Sequence, residues 1–330
     1  MSARFDVVAV GHAIVDVLAH VDDAFLTSHG IAKDAMTLID AFRAETLERA
    51  MTKRVEASGG SAANTTVGVA SFGGKAAFIG KVRDDRLGET FRTEIRKAGV
   101  TFENASANSG LATASSHILV TPDGHRSMNT FLGCASALSA GDLDAKLIGD
   151  ANALYVEGYL WDTAEAKAAI RTGIAHAKAA KRKVAFTLSD AFCVGRWRDE
   201  FKALLKSDVD ILFANEAELK ALFETEDFDE AFQAIRGWRG IAAITRSAHG
   251  SVCIDAKDVH ILEAEPVKKV EDTTGAGDQY AAGFLYGLAR GLPLGVCGRL
   301  GGIAAAEVIS HLGPRPQTSL KSLAAKAGIG

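Results

Sequence analysis

The sequence predicts an α/β fold: a doubly wound, mostly parallel central sheet flanked by helices, with a small β-sheet lid. Three observations support this fold class. Short apolar runs alternate with helix-length amphipathic segments, as in a parallel sheet with crossover helices. With 330 residues the chain can bury the core of one large domain, which we place at residues 1–330. Two regions show strand alternation without a covering helix, and these predict the separate small sheet.

The elements of the large domain follow from their local patterns. The first apolar run ends at Gly11, as is typical of a buried parallel strand. Runs of this kind predict strands at residues 5–10, 76–79, 154–156, 184–188, 211–213 and 241–245. Apolar residues at helical spacing predict helices at residues 61–72, 86–98, 164–180, 216–223, 278–290, 294–310 and 319–327. The closing part of the chain is therefore predicted to be nearly all helix.

The small sheet is predicted from two separate parts of the chain, approximately residues 12–40 and 110–131. Polar and apolar residues alternate there in residues 14–19, 36–39, 112–121 and 127–131. Pro122, Asp123 and Gly124 are typical of a hairpin tip. A lid over a cleft and a surface hairpin without a function both fit this pattern.

Composition excludes several classes of protein. A hydrophobic content of 48% and a charged content of 24% are ordinary for a soluble globular protein. The net charge is −4 and no basic stripe for nucleic acid is present. No apolar run approaches the ~20 residues that span a bilayer, and the first residues lack the apolar core of a signal peptide. The four cysteines are far apart and form no metal-ligand pair, as is typical of a reducing compartment. We therefore expect a cytoplasmic protein, and the charge and the lack of a long apolar run predict no nucleic-acid or membrane partner.

The most informative motif is DTTGAGD, residues 272–278, which stands directly before an apolar helical segment. Gly275, Ala276 and Gly277 would present backbone N–H groups at the positive end of that helix, where an anion can bind. Asp278 would then face the anion, an unfavourable arrangement unless the carboxylate removes a proton. This combination indicates phosphoryl transfer to a hydroxyl group, although a capped helix after a glycine turn fits the same residues.

Two further motifs stand where predicted helices begin. Gly59 and Gly60 let a ligand approach the backbone closely, and Asn64 lies one helical turn further on. Asn215 and Glu218 follow a predicted strand at the edge of the sheet where ligands of doubly wound folds bind. An amide and a carboxylate there could hold Mg²⁺ through water. A tight packing turn and an N-capped helix are the corresponding structural interpretations.

Other enzyme motifs are missing from the sequence: a P-loop, a dinucleotide fingerprint, a nucleophile elbow and a zinc-protease motif. Residues 59–64 together with residues 272–278 instead resemble the motifs of the ribokinase family of PfkB-type carbohydrate and nucleoside kinases. The likeness extends from about residue 5 to residue 316. Within the family the sequence most resembles the adenosine kinases. Residues 11–16, 21–26, 155–159, 186–188 and 209–216 carry this resemblance.

The resemblance implies a role for most of these residues. Asp278 matches the catalytic base, and Gly275, Ala276 and Gly277 match an anion hole. Asp16 matches a carboxylate that grips two sugar hydroxyls. Further implied acceptor positions are Gly59, Gly60 and Asn64, with His12 next to the ribose-binding acid where adenosine kinases usually have Asn. Asn215 and Glu218 match the motif that acts on Mg²⁺ and the phosphates, and Arg126 matches a lid arginine that reaches the phosphates.

The nucleotide loop and a monovalent-cation site are implied in the same way. Thr245 and Gly250 fall in the nucleotide loop, in which Ser247 stands at a usual glycine position, and Thr274 belongs to the phosphate-binding motif. Asp272, Thr274 and Gly313 lie where some relatives bind K⁺.

The resemblance implies ATP- and Mg²⁺-dependent phosphorylation of the 5′-hydroxyl of adenosine. A purine needs flat surfaces, which Ile14, Met128, Leu132, Tyr159 and Phe192 could supply, although core packing also explains each of them. A sugar or sugar acid of the ribose, fructose or 2-keto-3-deoxygluconate type is the alternative acceptor. A binding protein without activity and a nicotinamide-dependent dehydrogenase are alternatives of other classes. The family includes monomers and homodimers that pair through the lid, and the sequence leaves this choice open.

Overall fold

Two β-sheets organise residues 3–329, the part of the chain that this computed structural model describes. Their strands, in chain order, are β1 (Phe5–Val10), β2 (Ile14–His20), β3 (Met36–Leu38), β4 (Val55–Gly59), β5 (Ala76–Ile79), β6 (Ala114–Val120), β7 (Arg126–Phe131), β8 (Ala151–Glu157), β9 (Lys183–Thr187), β10 (Ile211–Asn215), β11 (Ile241–Thr245), β12 (Ser251–Ile254) and β13 (Val259–Leu262).

The large sheet has eight strands in the order β13-β12-β11-β10-β9-β8-β1-β5 among the described residues. From β11 to β5 neighbouring strands run parallel, whereas β12 and β13 are antiparallel additions at one edge. Successive side chains of a strand point to opposite faces, and both faces are apolar here. In β10, for example, Leu212 packs into one core and Phe213 into the other. The predicted mostly parallel, doubly wound sheet is therefore confirmed.

Helices cover both faces of this sheet. The helices are α1 (Asp23–Ser28), α2 (Ala41–Ala50), α3 (Ser61–Ser71), α4 (Arg86–Lys97), α5 (Ala145–Gly149), α6 (Ala164–Ala179), α7 (Ala191–Ser207), α8 (Glu216–Phe223), α9 (Phe228–Arg236), α10 (Ala276–Ala289), α11 (Leu294–Val308) and α12 (Leu320–Lys326). The core on one face includes residues of α6, α7, α8 and α9. The core on the other face includes residues of α3, α10 and α11, and this face carries both glycine-rich motifs. None of the helices in residues 3–329 is long and apolar enough to cross a membrane.

The second sheet has five strands in the order β3-β7-β6-β2-β4. Four of these strands come from the two segments predicted to form a small sheet, and β4 is an additional strand that pairs antiparallel with β2. Because β4 ends at Gly59 and α3 begins at Ser61, the small sheet leads directly into the first glycine-rich motif. That this sheet closes over a cleft stays a prediction.

Candidate active site

Asp278 stands in the first turn of α10, which begins directly after Gly275. Gly275 has a φ of +79°, and a Cβ atom there would lie 2.7 Å from Pro314, so this turn requires glycine. The Asp278 carboxylate accepts hydrogen bonds from the Ser61 hydroxyl at 2.7 Å and from the Asn64 side-chain nitrogen at 3.1 Å. The two glycine-rich motifs of the sequence therefore meet at this carboxylate.

The environment of Asp278 suits proton transfer. Burial raises the pKa of Asp278 to about 6, and the negative charge of Glu157 adds to this increase. The hydrogen bonds from Ser61 and Asn64 and the positive charge of Arg315 act in the opposite direction. A carboxylate with a pKa slightly below neutrality is ionised at physiological pH and still basic enough to accept a proton from an alcohol.

The amino end of α10 opens into a cavity of about 1120 Å³. Ala276, Gly277 and Asp278 all line this cavity, and no side chain within residues 3–329 caps the helix. The first N–H groups of a helix lack partners in the helix and carry partial positive charge. This end of the cavity therefore combines a positively charged helix terminus with a basic carboxylate, and the Ala276 N–H there donates to the Thr273 carbonyl oxygen at 3.2 Å.

Part of the cavity wall comes from the carboxyl ends of the parallel strands β9, β10 and β11, and other parts come from α11 and residues 261–267. Ligands of doubly wound folds bind at such edges. The volume of the cavity is slightly above the range of ordinary ligand pockets and is large enough for a nucleotide. Polar residues along these walls include Thr187, Asn215, Glu218, Thr245, Ser247 and Ser251. The nucleotide-loop positions and the Asn215–Glu218 pair thus share one cavity with Asp278.

Asn215 and Glu218 bind each other as a capping box of α8. The Asn215 amide nitrogen lies 2.6 Å from Glu218 Oε1, and the backbone N–H groups of both residues are bonded by the partner's side chain. Burial raises the pKa of Glu218 to about 7. Direct coordination by both side chains would break this capping box, whereas a hydrated Mg²⁺ held through water fits it. In residues 3–329 no group of three or more His, Cys, Asp or Glu residues is arranged as a metal site.

The loop between β11 and β12 contains two residues with positive φ. Ser247 has a φ of +50°, a conformation that glycine adopts without strain and that serine adopts at a cost. Gly250 has a φ of +75°, and a Cβ atom there would lie 1.9 Å from the carbonyl oxygen of Leu262. Serine at position 247 therefore occupies a backbone conformation suited to glycine.

Asp16 lies in the small sheet, against the first glycine-rich motif. A Cβ atom on Gly59 would lie 2.4 Å from the Asp16 carboxylate, and one on Gly60 would lie 2.2 Å from the carbonyl oxygen of His12. Gly60 also has a φ of +98°. The glycine pair is therefore required for the close approach of β2 and β4 to the start of α3.

Burial raises the pKa of Asp16 to about 6. The positive charges of Arg315 and Arg126 counteract this increase, and the negative charges of Asp278 and Asp272 add to it. Asp278 is thus close enough to Asp16 for its charge to affect the pKa of Asp16. Asp278 accepts a hydrogen bond from Asn64, and the Asp16 carboxylate lies against Gly59, five residues earlier in the chain.

Strand register shows which side chains share a face with Asp16. Asp16 pairs with Ser116, and Ile118 on the same face of β6 pairs with Met128 of β7. Since alternate residues share a face, Ile14 and Arg126 also lie on this side. Leu132 and Tyr159 are half-buried beyond the ends of β7 and β8, and the Tyr159 backbone N–H donates to the Ser189 hydroxyl at 3.2 Å.

Arg126 links the small sheet to the start of the DTTGAGD motif. Its guanidinium donates to the Asp272 carboxylate and, at 3.0 Å, to the Thr274 hydroxyl. Asp272 also accepts hydrogen bonds from the backbone N–H groups of Thr274 and Gly313, at 3.0 and 2.9 Å. The four residues implied for phosphate and K⁺ binding therefore converge, with the guanidinium supplying the positive charge next to Asp272.

Sequence motifs did not identify Glu157 as part of the site. This buried side chain accepts hydrogen bonds from the backbone N–H groups of His12 at 2.8 Å and Ala62 at 2.9 Å. Its Oε1 also lies 3.0 Å from Nδ1 of His12. Glu157 thus joins the ends of β1 and β8 to the first turn of α3. An acid at the last position of a buried strand was the available signal.

Arg315 is the second residue that sequence motifs did not identify. It lies after α11 and donates from Nε to the Asn64 side-chain oxygen at 3.1 Å and from Nη1 to the Ser58 hydroxyl. No local pattern announces this contact, because a glycine- and proline-rich segment reads as an ordinary loop.

Comparisons with known proteins show what this chain is similar to. The model of the pfkB family carbohydrate kinases matches residues 6–320. An adenosine kinase structure from Sinorhizobium meliloti is 49% identical, with a TM-score of 0.91 and coverage of 98% of this chain and 100% of that chain. A probable sugar kinase from Rhizobium etli CFN 42 is 47% identical, with a TM-score of 0.92 and coverage of 99% and 100%. The adenosine kinase of Saccharomyces cerevisiae is 28% identical over 93% of this chain and 95% of its own length.

Proposed function

The chain belongs to the pfkB family of carbohydrate kinases, ATP-dependent enzymes that phosphorylate hydroxyl groups, and we propose that its acceptor is the 5′-hydroxyl of adenosine. The products would be AMP and ADP. The observation that carries the proposed chemistry is the contact of Asp278 with Ser61 and Asn64 at the end of the nucleotide-sized cavity. The likeness to the Sinorhizobium meliloti adenosine kinase over nearly both chains supports adenosine as the acceptor.

Asp278 is the proposed general base. It would take the proton from the acceptor hydroxyl as that oxygen attacks the γ-phosphorus and ADP leaves. A positioned base typically contributes ~10²- to 10⁴-fold to the rate. The N–H groups of Gly275, Ala276 and Gly277 would stabilise the charge on the transferring phosphoryl group, and one such donor is worth roughly 3–4 kcal/mol. Positioning and charge stabilisation are the main requirements of phosphoryl transfer.

The acceptor would lie between the small sheet and the start of α3. Asp16 would hold two sugar hydroxyls, with Gly59, Gly60 and Asn64 beside them and His12 next to Asp16. The purine would contact the apolar residues on and near the Asp16 face of the small sheet, namely Ile14, Met128, Leu132 and Tyr159.

ATP would occupy the large cavity, with Thr245, Ser247 and Gly250 around the nucleotide and Thr274 at the phosphates. Asn215 and Glu218 would hold hydrated Mg²⁺, which neutralises phosphate charge when bound. Asp272, Thr274 and Gly313 offer oxygen atoms for K⁺. Arg126 would exchange its bonds with Asp272 and Thr274 for the phosphates as the small sheet closes and excludes water. We also propose that the enzyme is cytoplasmic and is a monomer or a homodimer through the small sheet.

A sugar or sugar acid is the second candidate acceptor, and the likeness to the probable sugar kinase from Rhizobium etli favours it. An acceptor panel with coupled ADP detection separates the two. The purified chain receives ATP and Mg²⁺ with adenosine, ribose, fructose or 2-keto-3-deoxygluconate, and Asp278→Asn serves as the inactive control. We expect kcat/KM for adenosine to exceed that for each sugar by about 100-fold or more. Robust turnover of a sugar with none of adenosine would overturn the nucleoside assignment.

A further inference from the structure

Arg315 reaches the reacting region from the segment that follows α11. Its Nε donates to the Asn64 side-chain oxygen at 3.1 Å, and the Asn64 nitrogen in turn donates to Asp278 at 3.1 Å. Its Nη1 donates to the Ser58 hydroxyl of β4, and Nη2 is buried without a hydrogen-bond partner in residues 3–329. The guanidinium is therefore one side chain away from the proposed base.

We propose that Arg315 is a positioning residue for phosphoryl transfer, which fixes the Asn64 amide toward Asp278 and balances the charges of Asp16 and Asp278. This inference rests on the proposed function of Asp278 as the base. It assigns a role to a residue outside the sequence motifs.

The first part of this role follows from the chemistry of the two side chains. A guanidinium has only donors, so the Asn64 group that faces Arg315 must be its oxygen. The Asn64 nitrogen then faces Asp278, which accepts its hydrogen bond. Without Arg315, the Asn64 oxygen would lose the donor that holds it, and the amide would be freer to rotate its nitrogen away from Asp278. Asp278 would then lose one of the two hydrogen bonds that favour its ionised form.

The second part follows from the charges around the two carboxylates. The negative charge of Glu157 on β8 raises the pKa of Asp278. The negative charges of Asp278 and Asp272 raise the pKa of Asp16. The positive charges in this region come from Arg315 and, for Asp16, also from Arg126 on β7.

Arg315 has the largest charge effect on Asp16, and it is the positive group that acts on Asp278. Burial lowers the pKa of Arg315 to about 10, although the charges of Asp16, Glu94 and Asp278 act against this decrease. Arg315 thus stays protonated at neutral pH, where it favours ionisation of both acids.

The backbone next to Arg315 is held in place at two points, and one of the groups that hold it also binds α3. The Gly313 N–H donates to Asp272 at 2.9 Å. The Gln279 side-chain nitrogen donates to the carbonyl oxygens of Pro314 and Asn64, both at 3.0 Å. A group that is fixed before the substrate arrives can orient its neighbours without reorganisation. The segment is therefore built to present the guanidinium at one position.

The test compares Arg315→Met and Arg315→Lys with the unaltered enzyme and with Arg182→Met. Arg182 is a matched control, since it is half-buried and donates from Nε to the Gly149 carbonyl oxygen in a different part of the fold. The pH dependence of kcat/KM is measured with ATP, Mg²⁺ and the best acceptor. The carboxyl ¹³C signal of Asp278 is titrated in parallel without substrate, with Asp278→Asn used to assign the signal.

We expect Arg315→Met to lower kcat at pH 7 by about tenfold or more, with KM for ATP within about twofold. The acidic limb of its profile and the Asp278 titration should both move up by about one pH unit. Arg315→Lys, which keeps the charge but not the fork of donors, should restore the titration more fully than kcat. Arg182→Met should leave kcat and the Asp278 titration unchanged.

An unchanged Asp278 titration in Arg315→Met, whatever its kcat, would overturn the electrostatic part of the proposal. An Arg315→Lys enzyme with full kcat would overturn the orienting part. If the unaltered chain phosphorylates no acceptor, the proposed function fails. The titration still decides the inference in that case, because it needs no turnover. If Arg315→Met does not fold, Arg315→Gln replaces it in both measurements.

Discussion

The hydroxyl of Ser61 donates a 2.7 Å hydrogen bond to the carboxylate of Asp278, although 217 residues separate them in the chain. Each residue stands in the first turn of a helix that follows a glycine with positive φ, Gly60 and Gly275 respectively. Two helix starts therefore face each other across the proposed reaction centre. This arrangement brings hydroxyl and amide donors to the base from one helix and anion-binding N–H groups from the other.

Replacement of Asp278 by Asn tests the base directly. Asparagine keeps the shape of the side chain but cannot accept the proton, so kcat should fall by about 10²- to 10⁴-fold. Acceptor affinity should stay within a few-fold, since the proposed acceptor contacts are elsewhere. Stopped-flow detection of ADP and calorimetric titration of the acceptor measure the two effects. Near-normal turnover would show that Asp278 is not the base.

The raised pKa of Asp278 also predicts a pH dependence. The ionised form is the active one, so kcat/KM should fall as the pH decreases through about 6. The pH dependence of folding stability has the opposite sign. Because the folded-state pKa lies above the unfolded value, the Asp278 contribution is fully present below about pH 4 and is lost as the pH rises through about 6.

Asp278→Asn removes this dependence. The variant should therefore gain stability over the unaltered chain at pH 8, by up to about 1.4 kcal/mol for each pKa unit, and gain less at pH 4. Urea unfolding at the two pH values measures the difference. An equal effect at pH 4 and pH 8 would contradict the raised pKa.

Asp16→Ala tests the acceptor site. A carboxylate that holds two sugar hydroxyls contributes to acceptor binding, so acceptor affinity should fall about 10-fold or more, with little change in KM for ATP. Asp123→Ala, at the exposed hairpin tip of the same sheet, is the control and should bind the acceptor normally. Unchanged affinity in Asp16→Ala would remove the proposed sugar contact.

Glu157→Gln probes the residue that joins β1, β8 and α3. Glutamine can present only one oxygen to the two N–H groups that the carboxylate serves, so one buried donor should lose its partner. The free energy of unfolding should decrease by about 1–3 kcal/mol. Urea unfolding measures this, and Glu226→Gln in an exposed loop should have little effect. A Glu157→Gln variant as stable as the control would contradict the role assigned to this carboxylate.

Local patterns predicted the parallel strands because buried strands are continuous apolar runs. Residues 5–10, 76–79 and 241–245 match the observed strands to the residue. The strand Val55–Gly59 lacks such a run, since only two of its five residues are clearly apolar. Helix α7 is missing from the predicted helices. It is interrupted at Trp197, whose φ of −124° is not helical, so apolar residues do not keep one helical spacing along the whole segment.

The site residues also fall into two groups, those that local motifs predict and those that they do not. Asp278 and Asn64 stand in short motifs whose residue types indicate their chemistry. Arg315 and Glu157 act through contacts across 251 and 145 residues, to Asn64 and His12. Such contacts depend on how the two sheets and the last segment pack, which no local pattern contains. A single sequence therefore identifies the groups that carry the chemistry more readily than those that orient them.

Gly250→Ala and Ser247→Gly test the backbone of the nucleotide loop in opposite directions. A Cβ atom at position 250 would overlap the Leu262 carbonyl oxygen, so the loop must move. We expect Gly250→Ala to lower the free energy of unfolding by about 2 kcal/mol or more and to raise KM for ATP. Ser247→Gly removes left-handed strain of about 1–2 kcal/mol but adds about 0.5–1 kcal/mol of chain entropy, so a small net gain should result.

Gly237→Ala is the matched control for both variants of this loop. Gly237 follows α9 with a φ of −87°, and a Cβ atom there meets no atom within 4 Å. Its stability should change by less than about 1 kcal/mol, with an unchanged KM for ATP. Because Ser247 and Gly250 line the cavity and Gly237 lies outside it, a specific effect on ATP must separate the loop variants from the control. Equal KM values for ATP in Gly250→Ala and Gly237→Ala would place the nucleotide away from this loop.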